Sequence, residues 1–298
     1  MARLGYCCIN LSLENEKITS NRGMVKKTFL EKGIKYASQL SLLNIKDLKK
    51  VILWNIDNGI RMYRMSSDMF PWCSEYEFPE LPDLIEIKEI LAECGKIAMD
   101  NDLRLTFHPS PYSVISSDRD DVYLKAHKEI RQHCEIMDYM GLPRSFQYPV
   151  NIHVNTSRPS KEEALNRFVE RYNLFDDSIK SRLILEIDDK SAGYNVEELF
   201  EVHEKCGVPI TFDYLHNQCY PSSLNEEEAI KLAMRTWPNG ITPLVHYSES
   251  KRNHEDPGAK ASAHSDWLNE SFSTYDLEID IELEVKKKDL ALLRYLQK

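Results

Sequence analysis

Short apolar runs alternate with longer amphipathic stretches from one end of the chain to the other. The later runs read LRLTFHP, VNIHVN, RLILEID, PITFDYLH, TPLVHYS and DLEIDIELE. Between the runs, apolar residues recur at helical spacing, as at Leu48, Val51, Ile52 and Ile56. This rhythm predicts a parallel sheet with helices outside it. Strands are expected near Arg3–Ile9, Ile60–Met65, Arg104–Phe107, Gln147–Val154, Arg182–Ile187, Val208–Phe212, Ile241–His246 and Leu277–Glu284. Helices are expected around Asn44–Asn58, Leu84–Asp100, Asp120–Met140, Pro159–Leu174, Val196–Cys206 and Glu226–Met234, and from Lys288 onward. Two long polar segments, Ser12–Lys32 and Ser248–His264, are left as loops. No linker, repeat or low-complexity stretch divides the chain. Residues 1–298 therefore read as one α/β domain, a single (β/α)8 TIM barrel. A doubly wound open sheet is the alternative.

The runs share a second feature. His108, His153, Glu186, Asp213 with His216, His246, and Glu284 each fall at or just past the C-terminal end of a run. In a parallel barrel these ends form one mouth, where (β/α)8 enzymes do their chemistry. An open sheet would not so naturally bring ligands from six successive strands together. A lone histidine at a strand end is ordinarily structural. The series, with carboxylates on otherwise apolar runs, points instead to metal, because a buried carboxylate needs a cation or a metal as partner. Imidazole and carboxylate suit zinc, manganese or iron, and the set is too large for one ion. Asp213-x-x-His216 offers two ligands of different character past one strand. His264-x-Asp266 offers another pair, with Ser265 as a helix cap in the plainer reading.

Composition narrows the class. The chain is 42% hydrophobic and 29% charged, as soluble globular proteins are. No apolar stretch approaches the roughly 20 residues needed to span a bilayer. The start, MARLGYCCINLSLEN, turns polar too early for a signal peptide. A cytoplasmic location is expected, nucleoid-associated in a prokaryotic cell. Seven cysteines, an odd number without C-x-x-C, speak against a disulfide framework or a cysteine zinc site. The net charge of −10 argues only weakly against nucleic acid, since acidic ligands are offset by the cations they hold. No phosphate-binding loop occurs, so no nucleotide cofactor is expected. No Ser-His-Asp or Cys-His nucleophile is evident either.

Several segments carry a specific resemblance. HPSPY (His108–Tyr112), LEIDD (Leu185–Asp189), FDYLHN (Phe212–Asn217), VHYS (Val245–Ser248), AHSDW (Ala263–Trp267) and ELEVKKKD (Glu282–Asp289) resemble the UV damage endonucleases. So do RLGYCCINLSL (Arg3–Leu13) and RMSSDMFPW (Arg64–Trp72), and the similarity spans nearly the whole chain. The family belongs with the endonuclease IV-like and xylose isomerase-like metal-dependent barrels. The resemblance implies a nick immediately 5′ of a damaged site in double-stranded DNA, leaving a 3′-hydroxyl and a 5′-phosphate. It implies a cluster of two to three divalent ions, manganese typically and zinc as the alternative. A monomer is expected. Carried over, catalytic Glu186 bridges two ions. His108 and His153 complete one, while Asp213, His246 and Glu284 complete the other. His216 and His264 hold a third. Tyr6, Asn10, Pro111 and Tyr112 match positions near the lesion.

The chain also departs from the family pattern. The probing loop usually reads H-P-G-Q-Y, and here Pro111 replaces the glutamine while Tyr112 remains as a stacking wedge. Leu244 stands where the family often has a lysine, and Cys73-Ser74-Glu75 replaces a Ser-His after FPW. Trp72 is a second candidate base stacker, and Lys286–Lys288 with Arg22, Lys26 and Lys27 are candidate phosphate contacts. Two other functions fit parts of the pattern. A sugar isomerase or epimerase would gather similar ligands, but around a small closed pocket. A non-cleaving binder of distorted DNA would have no use for the full ligand set.

Overall fold

A computed structural model describes residues 3–297. Eight strands form its centre: β1 (Leu4–Cys7), β2 (Met62–Arg64), β3 (Arg104–Thr106), β4 (Val150–Ile152), β5 (Leu183–Glu186), β6 (Ile210–Asp213), β7 (Leu244–Tyr247) and β8 (Asp280–Leu283). All pairings are parallel, in the order β3-β2-β1-β8-β7-β6-β5-β4. The two outer strands meet through a bridge. Phe107 N donates to Pro149 O at 3.0 Å and Asn151 N to Phe107 O at 2.8 Å, which closes the cylinder. Closure removes the unpaired edges that an open sheet would expose. The structure is thus the (β/α)8 barrel that the alternation predicts.

Ten α-helices are seen among the described residues: α1 (Lys26–Asp57), α2 (Leu84–Asp100), α3 (Asp120–Tyr139), α4 (Lys161–Leu174), α5 (Asp177–Lys180), α6 (Val196–Cys206), α7 (Tyr214–Cys219), α8 (Glu226–Met234), α9 (Lys251–His254) and α10 (Lys288–Leu296). The helices α2, α6 and α8 match their sequence boundaries. For α6 and α8 the reason is local. Asn195 with Glu198, and Asn225 with Glu228, each form a reciprocal capping box at the first turn. Gly207 then takes the left-handed conformation (φ 76°) that ends α6.

The first helix corrects the sequence reading. It begins at Lys26 rather than near Asn44, and crosses a kink at Gly33 (φ 65°, ψ −164°). Part of its buried face is Ala37, Ser38, Ser41 and Asn44, which carry no apolar periodicity to read. The short helices α5, α7 and α9 were also not expected.

The barrel interior is unusually polar. Along β8 the side chains of Asp280 and Glu282, with Glu284 just beyond, share one face because strand residues alternate. Thr106 on β3 donates to Glu282 Oε1 on β8 across the intervening β2 and β1, so that face points inward. At the lower end Asp280 pairs with Arg104 (2.8 Å) and Arg3 (2.9 Å). Arg64 reaches Glu282 at 3.5 Å and contacts Glu284 directly. Met62, Ile184, Leu244 and Trp237 form a small separate apolar cluster. The larger core lies between barrel and helices and includes Leu105, Leu185, Phe212, Ile281 and Leu283.

Candidate metal centre

The upper ends of the strands hold Glu186 at the centre of a ring of imidazoles. It is the last residue of β5 and 1% exposed. Its two oxygens face different partners. Oε2 lies 2.9 Å from His108 Nε2 and 3.5 Å from His153 Nε2, and also accepts from Asn151 Nδ2. Oε1 lies 3.1 Å from His246 Nδ1 and 3.3 Å from His216 Nδ1. Three groups of ligand atoms are close enough to share an ion: His108–His153–Glu186, Glu186–His246–Glu284, and Glu186–Asp213–His216. Glu186 is common to all three.

The structure therefore brings together seven of the eight expected ligands. The resemblance assigns Asp213 with His246 and Glu284, and here the Asp213 carboxylate lies in one group with His216 and Glu186. The cause is local. Asp213 caps α7, its Oδ1 accepting from His216 N at 2.7 Å, so one turn presents both side chains. His264 stands further out, its Nε2 3.8 Å from Glu284 Oε2 and its ring 6.5 Å from that of His216.

The hydrogen bonds of the rings show what the site can hold. His108 Nδ1 lies 3.0 Å from Pro109 O, and His216 Nδ1 2.9 Å from Ile187 O. A carbonyl only accepts, so each of these nitrogens donates. Neutral His108 then turns a bare Nε2 toward the Glu186 carboxylate. Two acceptors at 2.9 Å repel unless a proton or a cation lies between them. His153 Nδ1 lies 3.4 Å from Asp188 Oδ1, and Ser248 Oγ 2.7 Å from His264 Nδ1. Outer partners of this kind orient metal-binding imidazoles. Buried polar atoms without an aligned hydrogen bond also gather here, among them His153 Nδ1, Asp213 Oδ2 and His246 Nδ1. Such atoms are rare in folded proteins and ask for a partner. This donor set fits a cluster of divalent ions.

The electrostatics follow from crowding in a dry site. Burial raises the Glu186 carboxyl, but His246 and His153 outweigh it and hold it well below the usual carboxylate range. Glu284 is likewise held low, Arg64 and His246 overcoming burial. Burial pushes Asp213 up to about 6 and Asp188 up to about 6. It drags His153 down to about 4. His216 moves the other way, to about 9, because Asp213 and Glu186 outweigh its burial. Perturbations this dense are typical of functional sites.

The residues expected near the lesion separate into two sets. Pro111 and Tyr112 sit on the loop after β3, both exposed, with Tyr112 83% accessible. Ser110 N in that loop is tied to Glu129 Oε1 on α3 at 3.1 Å. Tyr6 is fully buried and Asn10 is 4% exposed. Tyr6 donates to Asn55 Oδ1 and accepts from Asn10 Nδ2, both at 2.8 Å. Trp72 stacks on Phe29 and donates to Met24 O at 2.8 Å, so it is engaged in packing. Arg22 is bound to Thr19 O, Lys17 O and Asp47. Lys26, Lys27 and Lys286 are exposed. Asp266 pairs with Lys251 at 2.9 Å and joins none of the three ligand groups.

Sequence reasoning missed Asn151, Asp188, Arg64 and Glu282, which hold the ligands from behind. Strand alternation could have indicated Glu282, two residues before Glu284. A recess of about 730 Å³, lined by Arg3, Arg61, Asp102 and Asp280, lies at the opposite end of the barrel. It contains none of the expected ligands, and barrel chemistry belongs to the other face.

Fold and site together define a (β/α)8 barrel with a candidate metal cluster at its mouth, the layout of a metal-dependent enzyme. The family model of UV-endonuclease UvdE matches residues 2–298. The chain belongs to this family. It is 33% identical over 97% of its length to the UV-damage endonuclease of Schizosaccharomyces pombe, of whose length it spans about half, 49%. It is 30% identical over 98% of its length to the UV DNA damage endonuclease of Clostridium perfringens, covering 69% of that protein. The crystal structure of SacUVDE superposes with a TM-score of 0.88 at 30% identity, over 100% of this chain and 97% of that one.

Proposed function

We propose that the chain nicks the backbone of UV-damaged or otherwise distorted duplex DNA immediately 5′ of the lesion, leaving a 3′-hydroxyl and a 5′-phosphate. The observation that carries this reading is the placement of Glu186. Its two oxygens face separate imidazole pairs at one barrel mouth, so that one carboxylate would serve two ions. When bound, divalent ions supply a water of lowered pKa and a clamp on the phosphate oxygens. The chain's own part is to hold and orient. His108 and His153 flank one oxygen of Glu186, and His246 and His216 flank the other. Asn151 fixes the carboxylate from behind. Tyr112, on the loop that follows His108, presents an exposed ring to unstacked bases. No helix among the described residues is long and apolar enough to cross a membrane.

The direct test is incubation of UV-irradiated and undamaged labelled duplex with the protein and Mn²⁺. A nick confined to the irradiated strand, extendable by a polymerase and sealable by a ligase, is expected. Cleavage that leaves a 3′-phosphate, or none at all, refutes the reading. Metal content gives a second check. Gently purified protein should carry two or three divalent ions, manganese in preference to zinc. No more than one tightly bound ion, with none gained from added Mn²⁺, would show the cluster to be wrongly inferred.

Tyr112→Ala should weaken discrimination of damaged from intact duplex more than it slows the cut. Base stacking on an aromatic ring contributes about 1–3 kcal/mol per base, roughly 5- to 150-fold in preference. Pro111 offers a rigid apolar surface where an amide would read base edges. Distortion rather than lesion chemistry should therefore govern recognition, and the protein should cut several structurally different lesions. Single-turnover rates on cyclobutane dimer, 6-4 photoproduct and abasic duplexes measure both effects. Equal losses on damaged and intact DNA for Tyr112→Ala would remove the probing role.

A further inference from the structure

We propose that Glu282 is a positioning residue of the metal centre, accepting the Nε2 hydrogen of His246 and so aiming Nδ1 of that ring at the ion. The inference rests on the metal-dependent reading above. His246 is fully buried and its two nitrogens face different groups. Nδ1 lies 3.1 Å from Glu186 Oε1 and 3.3 Å from Glu284 Oε1, inside a ligand group. Nε2 lies 3.2 Å from Glu282 Oε2, on the side away from that group. A neutral imidazole has one donor and one bare nitrogen. A carboxylate at Nε2 places the hydrogen there and leaves the Nδ1 lone pair for the ion.

Glu282 is built for this place. It shares the inner face of β8 with Glu284 but sits two residues lower, about 6–7 Å deeper. It belongs to none of the three ligand groups. It has no exposed surface, and a buried carboxylate needs compensation. Thr106 donates to its Oε1, and Arg64 Nη1 stands 3.5 Å from its Oε2. Arg64 also contacts Glu284, a ligand. Glu282 therefore has a second effect: it offsets a buried guanidinium whose bare charge would repel ions beside it. Its loss would both free the His246 ring and leave that charge compensated by Glu284 with one carboxylate fewer beside it.

The test compares wild type with Glu282→Leu and Glu282→Gln. Metal-free proteins are titrated with Mn²⁺ by calorimetry. Zinc-loaded samples carrying ¹⁵N-histidine are read by long-range nitrogen–proton spectra. Wild type should show one ring bound through Nδ1 with a slowly exchanging Nε2 proton. Glu282→Leu should lose that proton signal and weaken one ion by roughly 10- to 100-fold. Glu282→Gln keeps a side-chain oxygen for the Nε2 hydrogen, so it should retain the signal, moved upfield, with an intermediate affinity. If the leucine variant does not fold, the glutamine variant decides: unchanged affinity and an unmoved proton overturn the proposal. Wild type that takes up no Mn²⁺ refutes the metal reading itself. Wild type that binds, with a folded leucine variant matching it in affinity and spectrum, refutes Glu282 alone.

Discussion

Glu186→Gln should lower the single-turnover nicking rate on UV-irradiated duplex by at least about a thousandfold, close to 4 kcal/mol of transition-state stabilisation, while the fold survives. The reason lies in the two sides of this carboxylate. Oε2 serves the His108–His153 side, and Oε1 the His246 and His216 side. An amide keeps one oxygen. On the other side it presents an NH₂ whose hydrogens repel a cation, so one ion must lose its central ligand whichever way the group turns. The charge that draws the ions together is lost as well. Metal binding should report the same defect without turnover. Ions that bind only the folded state stabilise it by about 2.7 kcal/mol at a hundredfold excess over their Kd. Added Mn²⁺ should therefore raise the melting temperature of wild type well above that of Glu186→Gln. A variant that nicks near the wild-type rate at saturating Mn²⁺, with an equal thermal shift, would remove Glu186 from the bridging position.

Most of the ligands were legible because they fall at or just past a strand end, and strand ends are local features. His108 and Glu186 are 78 residues apart, yet both sit where an apolar run stops. Parallel strands then bring run ends together without further information. The same locality explains α6 and α8, whose caps lie within three residues of the helix start. The supporting groups were not legible for the opposite reason. Thr106 and Glu282 are separated by 176 residues, and Arg64 and Glu284 by 220. Nothing near Arg64 in the sequence marks it as the counter-charge of two glutamates on the last strand. The run DLEIDIELE looks like a strand with one wet face. In the closed barrel that face is the interior, and its acids are matched by arginines from β2 and β3. Tyr6 and Asn10 illustrate a further limit. Resemblance placed them near a lesion, but only the structure shows them bonded to each other and to Asn55 within the fold.

At the floor of the same interior, Asp280→Ala should destabilise the metal-free protein by about 3–5 kcal/mol, the usual cost of leaving a buried charge unpaired. Asp280 is 1% exposed and holds two guanidinium groups, Arg104 at 2.8 Å and Arg3 at 2.9 Å. Arg104 is itself 1% exposed and donates further to the carbonyls of Gln147, Thr242 and Phe146, so it cannot swing out to water. Burial already draws its pKa below the ordinary arginine value, with Asp280 opposing the shift. Asp102 gives the contrast. It also pairs with Arg3, at 2.7 Å, but its side chain is 77% exposed. Asp102→Ala should cost no more than about 0–1 kcal/mol, as surface pairs do. Urea midpoints of the two variants measure the difference. Saturating Mn²⁺ should restore part of the Asp280→Ala loss, because the ions bind only the closed barrel and their ligands lie at its other end. An Asp280→Ala midpoint indistinguishable from that of Asp102→Ala would mean that Arg104 needs no counter-charge, and that the acidic face of β8 does not hold the barrel closed beneath the metal centre.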